Sequence, residues 1–313
     1  MTGFVVRRLG WAIVVIWFVV TATFALVTAI PADPGKAMLG PHATPESIIR
    51  VKELYCLDDG MVVRYGCWVR NLVHGDLGES LRSKRAVTAI LADRIGPTLT
   101  LALAAIVLQL LIGVPLGILA AYRKGRWPDH GATLLGLVGQ SAPSFLVGTL
   151  LLYVVAYRWG VLPIGGYGEG LWDRLRHLLL PATTLATVGV AYYARIVRSE
   201  LGETLDQDYV RTARAKGVPE RSVVLRHALR PALGPLVTIM GLDLGVLVGG
   251  AVVTESIFAW PGLGGELLQA ILDVDMPVIL GIVIVSAIAI AIANLAVDLI
   301  QLWLDPRLRT PAT

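Results

Sequence analysis

The chain has 313 residues, of which 55% are hydrophobic and only 16% are charged, with a formal net charge of +4. A soluble domain carries about 25% charged residues, so this composition excludes an ordinary soluble domain and favours an integral membrane protein. The basic balance does not indicate nucleic-acid binding, because lysine and arginine beside membrane spans are expected from the positive-inside rule. We therefore expect an all-α, polytopic protein of the lipid bilayer with no nucleic-acid partner.

Six apolar runs predict six transmembrane helices. The first run, 9–30, is uncharged, long enough at ~1.5 Å per residue to cross the hydrocarbon core, and longer than the apolar part of a signal peptide. In the second run, Gly113 and Gly117 have the spacing that allows close contact between helices. The other predicted spans are 98–121, 131–157, 178–193, 235–253 and 278–304.

The distribution of basic residues predicts the orientation. Arginine and lysine concentrate before the first span, between the second and third spans, in the loop 195–234 and in the tail. The loop 254–277 has none of them and carries four acidic residues, among them Glu255. The positive-inside rule therefore places both termini in the cytoplasm. The predicted organisation is an N-terminus with the first span (1–30), an extracytoplasmic loop (31–97), a membrane core (98–304) and a cytoplasmic tail (305–313).

The most informative stretch is 206–231, which reads DQDYVRTARAKGVPERSVVLRHALRP. Acidic residues begin its first half and basic residues end it, as the helix dipole favours. Gly217 suits the left-handed conformation that caps a helix, and Pro219 suits the first position of the next helix. We predict two short helices, about 207–216 and 219–229, joined by a turn at Gly217.

The second of these helices has a predicted stripe of small and apolar side chains. Val218, Ser222, Leu225 and Leu229 fall on one face of a helix with the usual 3.6-residue period. The alternative interpretation of the whole stretch is a basic cytosolic loop that merely joins two membrane spans.

This stretch resembles the EAA loop of ABC-importer permeases. Ala213, Gly217 and Leu229 match the second alanine, the glycine and the leucine of that pattern, whereas Arg211 and Thr212 replace its glutamate and first alanine. The segments DYVRTARAKG and RHALRPAL are similar to the peptide and nickel branch of these permeases. So are GDLGES, SAPSF, GGAVVTESIFAWPGLG and LDPRLR, in the same order. The resemblance covers nearly the whole chain.

The resemblance implies a fold, a function and partners. The implied fold is the type I ABC importer (MetI-like) permease fold, in a bacterial inner (plasma) membrane. The implied function is ATP-driven import of dipeptides or oligopeptides, with nickel or glutathione import as alternatives in the same family. The implied partners are a second, homologous permease in a heterodimer, two ABC ATPase subunits and an extracytoplasmic peptide-binding protein. An ion-coupled secondary transporter is the alternative from another class, and it would need a coupling-ion site near the bilayer midplane.

The resemblance also implies that the loop at about 203–231 docks on the ATPase and couples ATP hydrolysis to movement of the spans. The expected coupling residues are Tyr209, Arg211, Ala213, Lys216, Gly217, Val218 and Arg221.

Catalytic motifs are absent from the sequence. No phosphate-binding G-x-x-x-x-G-K-[ST] loop, G-x-S-x-G elbow or H-E-x-x-H motif occurs. We therefore expect no catalytic residue and no cofactor in this chain, with ATP and Mg²⁺ bound by the partner subunits. The spacing of the five histidines does not suggest a metal site.

The two cysteines, Cys56 and Cys67, both fall in the predicted outer loop. Because the outer face is oxidising, a disulfide is expected between them. Two free thiols are the alternative.

Asp243 is an ionisable residue well inside the fifth predicted span, where a carboxylate is unfavourable. Gly241, Gly245 and Gly249 form a stripe suited to close helix contact, and Asp243 lies about 200° from Gly241 around the helix. If the glycine stripe packs on another span, Asp243 points away from that contact. Two interpretations follow: it faces the translocation pathway and attracts the amino end of a peptide, or it makes a structural hydrogen bond to a neighbouring span or to the partner permease.

Overall fold

The computed structural model describes residues 2–28, 56 and 58–304. The predicted cytoplasmic tail (305–313) and much of the predicted outer loop lie outside the described residues. The described residues are mainly helical, and their β-pairing is confined to an isolated bridge between Glu79 and Ala86. The helices are α1 (Thr2–Thr28), α2 (Met61–Val73), α3 (Val87–Tyr122), α4 (Trp127–Ser141), α5 (Ser144–Arg158), α6 (Gly170–Leu205), α7 (Asp208–Ala215), α8 (Glu220–Ala232), α9 (Gly234–Gly250), α10 (Val252–Ile257), α11 (Leu263–Leu272) and α12 (Met276–Leu304).

Two segments predicted as loops contain helices. The outer loop 31–97 includes α2 and the start of α3, and the loop 254–277 includes α11. Asp93 and Arg94 interrupt the apolar run and moved the predicted start of the second span to residue 98. In the structure the helix continues through them, and Arg94 pairs with Glu266 at 3.0 Å. Charged side chains therefore extend this helix beyond its apolar part instead of ending it.

Long apolar helices give fewer candidate spans than the six predicted. By length and composition, the described segments Val6–Leu26, Val87–Tyr122 and Met276–Ile300 can each cross a membrane. Two bent pairs can each form a further span, one joining α4 to α5 with a 100° bend and one joining α8 to α9 with a 52° bend. The described residues thus provide three to five candidate spans by this criterion, and the total of six stays a prediction.

The third and fourth predicted spans differ from simple apolar helices. Between α4 and α5, Ala142 is extended and is followed by Pro143, which disfavours helical backbone at the residue before it and breaks the helix. The fourth predicted span, 178–193, is the central part of α6, which continues in both directions from Gly170 to Leu205. Its apolar character is diluted by Pro181 and by threonine and tyrosine side chains.

One compact unit comprises residues 98–261 together with the described residues from 292 onwards. Within it, α3 and α6 approach closely at the predicted glycine pair. A Cβ atom at Gly113 would lie 3.0 Å from the Val190 carbonyl oxygen, and one at Gly117 would lie 2.6 Å from that of Ala194. Because a side chain at Gly117 would overlap the facing backbone, this close contact requires glycine.

The second unit comprises residues 2–97 and 262–291. Its apolar core contains Val87, Ile90, Leu91, Leu263, Ala270, Val278 and Ile282. A smaller aromatic group joins α1 to α2, because the Phe24 ring lies 5.2 Å from the rings of both Tyr65 and Trp68. Thr21 and Tyr65 also share a 2.7 Å hydrogen bond between their hydroxyl groups. The first apolar helix is therefore fixed to the helix that carries Cys67.

Candidate functional site

The predicted pair of short helices is present as α7 and α8, which we call the hairpin (residues 208–232). Its buried face packs on the ends of α3 and α6, so the hairpin is attached directly to two long helices. The buried residues of this cluster are Ala121, Leu201, Val210, Ala213, Val223, Val224, Ala228 and Ala232. Burial of this apolar face stabilises the hairpin, since short helices of this length are not stable alone in water.

The turn at Gly217 is a Schellman motif, the two-bond cap that ends many helices. The Gly217 amide donates to the Arg214 carbonyl at 2.9 Å, and the Val218 amide donates to the Ala213 carbonyl at 3.2 Å. Gly217 has φ +77°, in the left-handed region that penalises a side chain. Val218 packs on the cluster that contains Ala213, which supplies the hydrophobic contact typical of this motif. The turn is thus fixed by backbone geometry and by burial together.

An ion pair joins the two helices of the hairpin across the turn. Arg214 donates to both carboxylate oxygens of Glu220, at 2.8 and 3.2 Å. The hydrogen bonds to Glu220 raise the pKa of Arg214, whose charge is therefore retained. A longer contact of 3.5 Å joins Arg214 to the Leu205 carbonyl at the end of α6. One arginine therefore connects α6, α7 and α8.

Five of the seven expected coupling residues lie on the exposed side of the hairpin. They are Tyr209, Arg211, Lys216, Gly217 and Arg221. The other two do not. Ala213 is buried in the cluster, and Val218 is half-buried against it. Their expected contact with the ATPase stays a prediction; within this chain both belong to the apolar contact that closes the Schellman motif.

The predicted stripe on the second helix is interrupted: Val218 and Leu229 pack on the buried cluster, but Leu225 does not. Residues Val223–Ala228 form a π-helix, in which hydrogen bonds span five residues, so the face that points inward shifts along the sequence. The buried side chains are Val223, Val224 and Ala228, whereas Leu225 is exposed. An ordinary helical period placed Leu225 on the same face as Val218 and Leu229.

A second group of polar side chains lies between the long helices. The Tyr193 hydroxyl on α6 donates to an Asp243 carboxylate oxygen on α9 at 3.2 Å, and the Gln109 side chain on α3 is a second polar neighbour of Asp243. We call Gln109, Tyr193 and Asp243 the polar cluster. Tyr193 and Gln109 are almost fully buried, at 0% and 1% exposure. Polar groups in such surroundings are stabilised mainly by bonding to one another.

Gly189 makes room for this cluster. A Cβ atom at Gly189 would overlap the amide group of Gln109. Within the part of the chain that the structure describes, the Gln109 Oε1 atom has no hydrogen-bond partner. The Gln109 amide therefore occupies the space left by the missing side chain at Gly189, and from there it contacts Asp243.

Asp243 points in the direction predicted from the glycine stripe. Gly241 packs on α12, because a Cβ atom there would lie 2.7 Å from a methyl carbon of Val297. Asp243 points away from that contact, towards Tyr193 and Gln109. These bonds match the interpretation of a structural hydrogen bond to neighbouring spans. A role of its charge in the pathway stays a prediction.

Asp129 and Arg198 form a buried connection between α4 and α6. The Arg198 side chain donates two hydrogen bonds to the Asp129 carboxylate, one of them 3.0 Å from Nη2 to Oδ2. The Gly125 amide donates a third at 2.9 Å. Asp129 is buried, so its charge is balanced almost entirely by these donors. Since α6 leads directly into the hairpin, this pair connects α4 to the helix that precedes the hairpin.

The two cysteines form a disulfide in the structure. Cys56 and Cys67 are bonded, with their Cα atoms 6.4 Å apart. In the same unit, the buried Asp275 accepts hydrogen bonds from the Ser80 hydroxyl at 2.6 Å and the Leu81 amide at 3.1 Å. This carboxylate anchors the GDLGES segment.

Asp273, close to that anchor in sequence, is the acceptor of a second set of polar contacts. It accepts a 2.9 Å hydrogen bond from the Gln269 side chain and forms an ion pair with Arg82. The Gln269 amide, followed by Arg82, holds the pKa of Asp273 below its ordinary value. Asp273 therefore keeps its negative charge at neutral pH.

Sequence reasoning missed several residues that organise these sites. Gln109 and Tyr193 carry a detectable signal, because a polar side chain inside an apolar run needs a partner there. Asp129 and Arg198 carry little sequence signal of a structural role, since charged residues at the ends of spans are also explained by the positive-inside rule. Glu255 was counted as a loop residue, but it is fully buried and accepts a 2.8 Å hydrogen bond from the Thr98 hydroxyl. Among the described residues, no group of three or more histidine, cysteine and acidic side chains could hold a metal ion.

Long apolar helices, polar residues bonded within their core and a helical hairpin between two of them indicate the class of polytopic membrane proteins. Residues 113–310 match the family described as binding-protein-dependent transport system inner membrane component, and residues 1–102 match its N-terminal family. The chain belongs to this family, which comprises the membrane components of ABC importers. The interpretation as an ABC-importer permease is therefore confirmed.

Full-length relatives support the same assignment. A putative peptide transport system permease protein of Brucella abortus (strain 2308) is 40% identical, covering 99% of each chain. The oligopeptide transport system permease protein AppB of Bacillus subtilis (strain 168) is 36% identical, covering 98% of this chain and 99% of its own. The dipeptide transport system permease protein DppB of Escherichia coli (strain K12) is also 36% identical, covering 99% of each.

A solved structure supports the fold. The MetNI methionine ABC transporter in inward-facing conformations matches with a TM-score of 0.58 at 19% identity, covering 69% of this chain and 96% of that chain. The predicted all-α, MetI-like permease fold is thus confirmed.

Proposed function

We propose that this chain is one of two permease subunits in an ATP-driven importer of dipeptides or oligopeptides. The peptide substrate is supported by the relatives named above, which match over nearly their full length and are named as peptide, oligopeptide and dipeptide permeases. Nickel and glutathione importers remain the alternatives within the family. The chain sits in a bacterial inner membrane with both termini in the cytoplasm, as the distribution of basic residues favours.

The hairpin is the proposed coupling element, and its geometry carries this part of the proposal. Its exposed side presents Tyr209, Arg211, Lys216 and Arg221 around the Gly217 turn, while its buried side is fixed to α3 and α6. A partner that moves the exposed side must therefore move the long helices as well. The partner is a cytosolic ABC ATPase subunit, which binds ATP and Mg²⁺ and carries out hydrolysis.

Force reaches the membrane core by two connections. At its beginning, the hairpin continues α6, whose Arg198 is bonded to Asp129 on α4. At its end, α8 is followed at once by α9, which carries Asp243. A second, related permease completes the pathway, and an extracytoplasmic binding protein delivers the peptide. Asp243 is a proposed pathway residue only if its charge, and not its hydrogen bonds alone, affects transport.

Uptake by the reconstituted importer tests this function. The chain, its partner permease, its ATPase subunits and its binding protein are placed in liposomes, and uptake of labelled dipeptides, nickel and glutathione is measured. We expect saturable uptake of peptides that requires ATP. Uptake of nickel or glutathione in place of peptides would show that the proposed substrate is wrong. Uptake driven by an ion gradient without ATP would show that the chain is not part of an ATP-driven importer.

A further inference from the structure

An open apolar groove lies between the end of α3 and the start of α8. It has a volume of about 470 Å³, within the range of ~300–1,000 Å³ that small-ligand sites occupy. Pro115, Leu119 and Tyr122 of α3 line one side, and Arg221 and Leu225 of α8 line the other. Apolar side chains thus line the groove, with a single cation among them.

One wall of the groove extends along α3 towards the middle of the predicted span. Pro115 and Tyr122 are seven residues apart on one helix, which places them about 10 Å apart along its axis at 1.5 Å per residue. Tyr122 ends the apolar helix α3, so the groove runs from that end towards the middle of the span. Hydrocarbon chains of the bilayer occupy this depth.

The shallow end of the groove carries one basic side chain and is followed in sequence by three more. Arg221 lines the groove itself, and the exposed residues Arg123, Lys124 and Arg126 directly follow Tyr122. Two acidic side chains close in sequence are engaged elsewhere, because Glu220 accepts from Arg214 and Asp129 accepts from Arg198. The rim therefore favours an anion at the level of the lipid headgroups.

We propose that this groove binds an anionic phospholipid, with one acyl chain between α3 and α8 and the phosphate beside Arg221. This site goes beyond the transport reaction. It requires that α3 cross the bilayer and that Arg221, on the exposed side of the hairpin, face the lipid headgroups and not the ATPase. It places a lipid against the first half of α8, where the hairpin joins the membrane part of the protein. Bound lipid then adds to the contact between the proposed coupling element and α3.

Native mass spectrometry of the intact transporter complex tests the proposal. The delipidated complex is titrated with phosphatidylglycerol and with phosphatidylcholine of the same acyl chains. We expect tight adducts with a preference of about tenfold or more for phosphatidylglycerol, because each basic residue near a headgroup adds to the binding of an anionic lipid. Equal binding of the two lipids would overturn the proposal.

Two variants locate the adduct. Leu119→Trp fills the groove and should remove the tightest adduct, whereas Leu111→Trp, an exposed position farther along the same helix and outside the groove, should leave it unchanged. Arg221→Gln is a surface change that preserves the groove and should abolish the preference for phosphatidylglycerol while retaining acyl-chain binding. An adduct that both Leu119→Trp and Arg221→Gln leave unchanged lies elsewhere and contradicts the site.

A photoreactive amino acid at position 119 identifies the occupant independently. We expect it to capture lipid in liposomes of phosphatidylglycerol and phosphatidylcholine. Capture of an ATPase subunit or of the second permease in place of lipid would assign the groove to a protein interface and reject the lipid site.

Discussion

The hairpin and the polar cluster solve the same problem by different means. Both hold polar groups beside apolar helices. In the hairpin, each polar group bonds to a partner that is close in sequence. Its turn, ion pair and buried face all come from residues 201–232 and one turn of α3. The polar cluster instead joins α3, α6 and α9, so each polar group depends on a partner that is distant in sequence.

This difference has consequences for tolerance to mutation. Exposed groups of the hairpin can exchange a lost partner for water, so single losses there are mild. The buried groups of the polar cluster have no such replacement, and a lost partner leaves them desolvated. We therefore expect substitutions in the polar cluster to reduce stability and those in the hairpin to reduce coupling.

The largest effect is expected from Asp243→Leu. This change leaves the Tyr193 hydroxyl and the Gln109 amide without their partner, at a cost of about 1–3 kcal/mol for each buried group. Thermal denaturation of the solubilised transporter should show a clear loss of stability. The control is Asp243→Asn, which retains hydrogen bonding. If Asp243→Asn transports cationic peptides as well as the parent, the negative charge has no role in the pathway.

Gly189→Ala should have the next largest effect. The added methyl group overlaps the Gln109 amide and forces it away from Asp243, and overpacking of this kind costs about 1–3 kcal/mol. Gly202→Ala is the matched control, because it lies on the same helix with open space around it. Equal melting temperatures for the two variants would show that the space at Gly189 does not hold the polar cluster together.

Gly217→Val should change function more than stability. A Cβ atom at this position meets no neighbour, but the backbone must keep φ +77°, which costs about 1–2 kcal/mol for a residue with a side chain. We expect ATP hydrolysis to persist while peptide uptake per ATP falls. Gly217→Asn, which tolerates this conformation, should retain most of the coupling. Normal uptake by the valine variant would reject the hairpin as the coupling element.

The smallest effect is expected from Arg214→Gln. The ion pair with Glu220 is partly exposed, so its loss should reduce stability by only about 0.2–1 kcal/mol. High salt should reduce the difference in stability between the parent and the variant, since salt screens the exposed ion pair that only the parent has. A loss as large as that of Asp243→Leu would erase the proposed contrast between the two regions.

The same contrast explains what the sequence could predict. Gly217, Pro219 and the charges around them determine the hairpin through local rules, and the family pattern placed it correctly. The π-helix was not predictable, because the segment from Val223 to Ala228 carries no local signal that distinguishes it from an ordinary helix. Burial of Ala213 was likewise a tertiary outcome, since alanine is accepted on either face of a helix.

The membrane core was predicted less completely, for a related reason. Hydropathy detected Asp243 as unusual but could not select Tyr193 and Gln109 as its partners, since that choice depends on how three helices pack. Hydropathy also underestimated the lengths of α3 and α6, because both helices continue past their apolar segments into charged residues such as Arg94 and Arg198. The two glycines at 113 and 117 did predict close packing, because their spacing is itself a local signal.

Cysteine crosslinking tests the central claim that the exposed side of the hairpin contacts the ATPase. Both native cysteines are bonded to each other, so an added cysteine is the only reactive one in this chain. In the purified complex, with cysteine-free ATPase subunits and a short thiol-to-amine crosslinker, Lys216→Cys should link to the ATPase, and Ala213→Cys, on the buried side, should not. Failure of Lys216→Cys to crosslink, or equal crosslinking from both positions, would contradict the account.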